Sequence, residues 1–140
     1  MAIKIMCAKN SGEYEKCFDI QKEVFAIEQG IPEKLIADDK SIFATYVYAS
    51  IDEKKVGAAR YRNTKMGFKL ERFAVLKKYR KKGVGKLLVQ FIEQKIGCDK
   101  TIYLHAQDPV VGFYSNIGYQ KVGDKFLEAG IAHWKMIKIW

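Results

Sequence analysis

The chain has 140 residues, with 25 lysines and arginines against 16 aspartates and glutamates, a formal net charge of +9. At about 150 residues a chain buries roughly 68 to 70 % of the surface it exposes when unfolded, so one domain with a real core is expected over residues 1–140. A hydrophobic content of 49 % with only two prolines excludes a disordered or collagen-like chain, which leaves the basic excess to be explained.

Ile3 to Cys7 reads as a short strand. Asn10 followed three residues on by Glu13 has the form of a capping box that opens a helix. In that helix Tyr14, Cys17, Phe18, Gln21, Val24 and Phe25 recur at the helical period, and Gly30 and Pro32 stop it. Ile42 to Ser50 and Val56 to Arg62 are β-branched and aromatic and flank a polar turn at residues 52–55, which predicts a hairpin. A third strand, Phe68 to Leu76, follows the turn at Lys65-Met66-Gly67. Val84, Leu87, Leu88, Phe91, Ile92 and Ile96 mark the clearest helix, with Gly97 as its C-terminal stop. Thr101 to Ala106 reads as a strand, Pro109 to Ile117 as a short helix begun by proline, and Tyr119 to Phe126 and Ala132 to Trp140 as two final strands. A strand, helix, strand run after an antiparallel meander implies an α/β chain with a mixed sheet packed by helices.

No repeat, linker or low-complexity tract interrupts this order. The longest largely apolar stretch, Ile42 to Ile51, falls short of the about 20 residues of a membrane helix. Met1 to Asn10 lacks the apolar run of about 7 to 15 residues that a secretory signal needs, so a cytoplasmic protein that does not bind membranes is expected. Cys7, Cys17 and Cys98 are odd in number and lack C-x-x-C spacing, which predicts reduced thiols and no metal site.

Two segments carry chemistry. In Leu70 to Lys86 a strand runs into a loop with five basic residues in six positions, Lys77 to Lys82, and then Gly83-Val84-Gly85 opens the amphipathic helix. Glycines allow close backbone approach, and a helix start offers unpaired N–H donors and a positive dipole end, so the segment reads as a phosphate-binding turn. It matches neither the Walker pattern nor the dinucleotide fingerprint, since Leu88 stands where the latter requires a third glycine. In the second segment, His105 to Tyr119, a strand end leads into a short helix bearing Phe113-Tyr114 and ending in Gly118-Tyr119.

Together these segments resemble the GNAT superfamily of acetyl-CoA-dependent N-acetyltransferases. Arg80-Lys81-Lys82-Gly83-Val84-Gly85 is similar to its R/Q-x-x-G-x-G/A pyrophosphate loop, and Phe113-Tyr114 with Gly118-Tyr119 to its F-Y-x-x-x-G-F/Y element. Glu23-Val24-Phe25-x-x-Glu28-Gln29 and Phe126-x-x-Ala129-Gly130-Ile131-x-His133 resemble a subgroup of small, stand-alone bacterial members. The resemblance implies a mostly antiparallel sheet of about six to seven strands flanked by about four helices. Acetyl-CoA would be the acetyl donor and a small-molecule primary amine the acceptor, joined by direct attack in a ternary complex without a metal.

By the same resemblance, the strand over Phe73, Ala74 and Val75 would bind the pantetheine arm, with an N–H near Val75 aimed at the thioester oxygen. Arg80, Lys81, Lys82, Gly83, Val84, Gly85 and Lys86 would hold the diphosphate. Tyr114 would protonate the departing thiolate, and Glu71 would take the proton of the amine. Gln107 or Asp108 stands where many relatives place a pantetheine-binding asparagine. Glu28 and His133 are candidates for the acceptor pocket, and His105 reads as a core histidine. Two other readings are a GNAT-fold protein that binds acyl-CoA without turnover and a basic nucleic-acid-binding module. Against the second, the cluster at residues 77–82 is short and has only Tyr79 as an aromatic platform, so no nucleic-acid partner is expected. Trp134 and Trp140 on a terminal strand could mark a homodimer surface.

Overall fold

The computed structural model describes residues 2–36 and 43–140. Ile42, the expected start of the second strand, lies outside the described residues. Ile3–Cys7 forms β1 and pairs antiparallel with β2, Thr45–Ile51. β3, Lys54–Thr64, returns after a turn at Asp52 and Glu53, whose φ angles of 50° and 65° are both left-handed. That two-residue hairpin turn is tighter than the four-residue turn expected, and its twist matches the strands it joins. β4, Gly67–Val75, completes the meander.

Between β1 and β2 runs α1, Ser11–Lys22, which continues into a wider π-helical turn over Glu23–Glu28. Asn10 caps it by accepting from the Glu13 N–H at 2.9 Å, while the Glu13 carboxylate accepts from the Lys9 N–H at 2.8 Å, so the reciprocal bond falls one residue earlier than in the standard box. After β4 come α2, Val84–Ile96, then β5, Ile102–Gln107, α3, Val111–Asn116, and the β6 and β7 hairpin, Tyr119–Glu128 and Ile131–Lys138. Among the described residues seven strands lie in the order β1-β2-β3-β4-β5-β7-β6, and of these only β4 and β5 run parallel. Among the described residues three α-helices pack on this sheet, against the about four that the resemblance implies.

The sheet has an apolar layer on each face. Leu70, Leu88, Ile92, Leu104 and Met136 are buried on the α2 and α3 side, and Cys17, Ile20, Val24, Tyr46 and Ala74 on the α1 side. A fully buried leucine contributes about 1.5 to 3 kcal/mol through area removed from water, so these two layers fix the sheet between the helices. Among the described residues no helix is long and apolar enough to cross a membrane.

Candidate active site

The site is made by an interruption of the sheet at its centre. β4 and β5 pair only at Phe68–Ile102, Lys69–Tyr103 and Leu70–Leu104, and beyond Leu70 the ladder stops. At that point β4 gains a residue relative to β3: Arg60 faces Glu71, yet Ala58 faces Ala74. Arg72 takes a left-handed φ of 59° there, and its backbone carbonyl accepts a 2.9 Å hydrogen bond from the buried Gln21 amide. Such a bulge reverses the alternation of side chains along a strand. Leu70 faces α2, Glu71 and Ala74 face α1, and Phe73 and Val75 return to the α2 side. The resulting cleft holds about 920 Å³, within the usual range of small-molecule sites, and takes residues from both faces.

On the α2 side, Leu76 leads through a 3-10 turn over Lys77–Tyr79 into the basic loop. Lys81 and Gly83 have φ of 64° and 86°, and α2 starts immediately after. Alternation of this kind turns successive backbone N–H groups inward and makes an anion cradle. A Cβ on Gly83 would meet nothing within 4 Å, so the space above the loop is open; one on Gly85 would come 3.3 Å from the Phe113 ring. The Arg80 guanidinium is already engaged: Nε donates to the Val75 carbonyl at 2.8 Å, and Nη1 and Nη2 hold both oxygens of Glu28 at 2.9 and 2.6 Å. That hydrogen bond from Arg80 holds the Glu28 carboxyl below the usual carboxylate range.

Tyr114 lies at the inner end of the same side, 7 % exposed, edge-on to Phe73, Phe113 and Tyr119 with ring centroids 6.3, 5.0 and 5.9 Å away. Burial alone pushes its phenol upward, so the hydroxyl is neutral throughout the physiological range.

The α1 side is polar. Burial would raise the Glu71 carboxyl, but Arg60 at 2.9 Å, Arg62 at 2.7 Å and Lys69 at 3.3 Å outweigh it and hold the group below its ordinary value. His105 and His133 come from β5 and β7; the pairing of Gln107 with His133 and of His105 with Lys135 sets both histidines on this face. His105 is 23 % exposed and carries Nδ1 3.1 Å from Glu128 Oε1, so it is a paired histidine of the cleft wall and not the core histidine expected. Gln107 exchanges amide hydrogen bonds with Gln29 at 3.1 and 3.3 Å, and Asp108 accepts from the Trp134 indole at 2.8 Å.

The cleft therefore gathers Glu71, Phe73, Ala74, Val75, Arg80, Lys81, Gly83, Val84, Gly85, Lys86, Gln107, Tyr114 and His133. Lys82 and Glu28 are not among its lining residues, and Glu28 reaches the site only through Arg80. Glu128, the carboxylate between the two histidines, belongs to none of the motifs visible in the sequence. Its clue was the alternation of Phe126, Glu128 and His133 across a tight Ala129-Gly130 turn, which is visible only once the strand is extended to Glu128.

The family model described as "Acetyltransferase (GNAT) domain" matches residues 14–140. The chain is 35 % identical over 139 residues to a Bacillus subtilis protein named "Uncharacterized N-acetyltransferase YjcF", covering 97 % of this chain and 99 % of that one. In fold it is similar to the crystal structure of Escherichia coli ElaA, with a TM-score of 0.86 at 21 % identity over 99 % of this chain and 100 % of that one. It is also similar to the PaiA N-acetyltransferase of Thermoplasma acidophilum in complex with coenzyme A, with a TM-score of 0.75 at 16 % identity over the whole of both chains.

Proposed function

Since the chain belongs to the GNAT acetyltransferase family, we propose that it transfers the acetyl group of acetyl-CoA to the primary amine of a small molecule by direct attack in a ternary complex. The observation that carries this reading is the continuous cleft, which joins the anion cradle and Tyr114 on one face of the sheet to a polar chamber on the other. A donor laid in the β4–β5 gap with its diphosphate on the loop over Lys81, Gly83 and Gly85 would present its thioester at the opening between the two chambers.

The backbone of Phe73, Ala74 and Val75 would hold the pantetheine arm, with an N–H near Val75 polarising the thioester oxygen. The amine lone pair forms the C–N bond, the C–S bond breaks, and the sulfur leaves with the electron pair. Tyr114 serves as the neutral donor to that sulfur. Because burial makes its phenol a weaker acid than in water, its contribution is a hydrogen bond that strengthens as thiolate character develops, with the proton passing late.

A carboxylate held well ionised by three cations is a weak proton acceptor, so we assign Glu71 to ordering Arg60, Arg62 and Lys69 along the chamber wall. Glu28 likewise fixes Arg80 and leaves the diphosphate to main-chain N–H groups and Lys81, Lys82 and Lys86. We keep the cytoplasm as the site of action, because acetyl-CoA is the proposed donor. Calorimetric titration with acetyl-CoA, followed by free-thiol release against a panel of primary amines, tests the reading. Binding with amine-dependent thiol release is the expected result; no binding at millimolar acetyl-CoA would sink it.

A further inference from the structure

The transfer reading leaves the proton of the acceptor without a destination, and the α1 side of the cleft offers one. His133 is 6 % exposed and stacked on Phe126, and its Nδ1 lies 2.7 Å from the Ile131 carbonyl. A carbonyl oxygen only accepts, so Nδ1 carries the hydrogen, and in neutral imidazole Nε2 is then a bare lone pair. That lone pair faces Glu128 Oε2 at 3.6 Å. The separation is too long for a hydrogen bond, and with the imidazole neutral two acceptors face one another across it. The other carboxylate oxygen, Oε1, is set by His105 Nδ1 at 3.1 Å, so the carboxylate cannot turn away freely. Glu71 on β4 with its three cations, Arg60, Arg62 and Lys69, and Lys135 on β7 are further charged groups on this face. Among the described residues no three side chains converge as metal ligands, whereas a group with several N–H donors would satisfy both acceptors at once.

We propose that Glu128 and His133 form the seat of the acceptor's ammonium group, with His133 Nε2 taking the proton that frees the amine and His105 positioning the carboxylate. The inference rests on the transfer reading for its chemistry, and not for its binding site. The acceptor enters as R–NH3+, with one N–H to Glu128 Oε2 and one to His133 Nε2. His133 receives one proton and becomes imidazolium, and the neutral amine attacks the thioester. The nitrogen then carries one hydrogen too many for an amide, and that proton leaves to the thiolate by way of Tyr114. The products are the acetamide and coenzyme A thiol, and His133 releases its proton to solvent.

The test follows the histidine ring signals by NMR in the full chain during titration with n-butylammonium and, separately, with tetramethylammonium, which has the same charge and no N–H. The expected result is movement of the His133 ring signals with n-butylammonium only, abolished in Glu128→Gln, a near-isosteric change on a half-exposed residue. No movement with either ion, or equal movement with both, would overturn the seat. With an amine taken from the thiol-release panel, Glu128→Gln should raise KM about tenfold or more. His133→Asn should lower kcat/KM about a hundredfold, and acetyl-CoA affinity by calorimetry should hold within about twofold in both. Kinetics unchanged in both variants would remove the proton role. Acetyl-CoA binding with unmoved histidines would discard the seat and leave the transfer reading. Histidines that respond to n-butylammonium in a chain that does not bind acetyl-CoA would do the reverse.

Discussion

Tyr114 and Glu71 are two titratable residues of one cleft, and their surroundings separate them. Tyr114 sits in a ring of aromatic edges with burial as the sole influence on its phenol. Tyr114→Phe removes only the hydroxyl, so kcat should fall about a hundredfold while acetyl-CoA affinity from calorimetry changes little. Glu71 is 13 % exposed amid three cations, and removing its charge takes a carboxylate from the ion pairs of the buried Arg60 and its neighbours. Glu71→Gln should therefore cost about 3 kcal/mol at neutral pH in denaturant titrations. The pH dependence has a definite sign. The folded carboxyl titrates below its unfolded value, so the stabilisation is complete above the ordinary carboxylate range and is lost as pH falls through the folded value. The gap between wild type and Glu71→Gln should close on acidification; a gap that widens would contradict the ion-pair account. Residue identity at Tyr114 was legible because a motif surrounds it. The state of Glu71 was not, since Arg60 and Arg62 lie about ten residues away along the chain and meet it only across the β3–β4 ladder.

At the scale of elements, the seven strands and three α-helices of the described residues were legible from periodicity, β-branched and aromatic content and turn residues, and the errors fall at their junctions. The four-residue turn expected after β2 is two residues, because Asp52 and Glu53 adopt the left-handed conformations that glycine or asparagine usually announce. The bulge at Arg72 was hidden for the same reason: an arginine at φ 59° carries no local signature, and the carbonyl it offers to Gln21 is 51 residues distant from that partner in sequence. Yet this bulge turns Phe73 toward Tyr114 and so shapes the cleft. α2 is tied to the last hairpin by Glu93, which accepts from the Tyr119 hydroxyl at 2.7 Å and pairs with Lys138 at 3.3 Å. Glu93→Ala should lower stability by about 3 kcal/mol in urea titrations, because it leaves the buried Tyr119 phenol without its acceptor and the Lys138 ammonium with the Ile117 carbonyl but no carboxylate. A loss under about 0.5 kcal/mol, the range of ordinary surface changes, would show that the triad is idle.

For the whole molecule, the charge of +9 has become more specific. Five cations stand at residues 77–82, and Glu28 neutralises Arg80, so four remain beside the cradle. Coenzyme A carries roughly four negative charges, counting about one and a half to two for its phosphate monoester. Acetyl-CoA binding should therefore weaken several-fold between about 0.1 M and about 1 M salt, as the screening length falls from about 10 Å to about 3 Å. Calorimetry across that series checks it, and a flat response would argue that backbone N–H groups carry the affinity alone.

The strand order has a further consequence, for self-association. The C-terminal strand β7, on which Trp134 lies, is enclosed between β5 and β6 and offers no free edge to a second copy. The free edges belong to β1, five residues long, and to β6, where Lys121 and Lys125 flank a kink at Gly123 with φ 74°. Short strands, lysines and bulges are the devices by which proteins keep open edges from annealing. A chain built this way resists growing its sheet outward through its open edges.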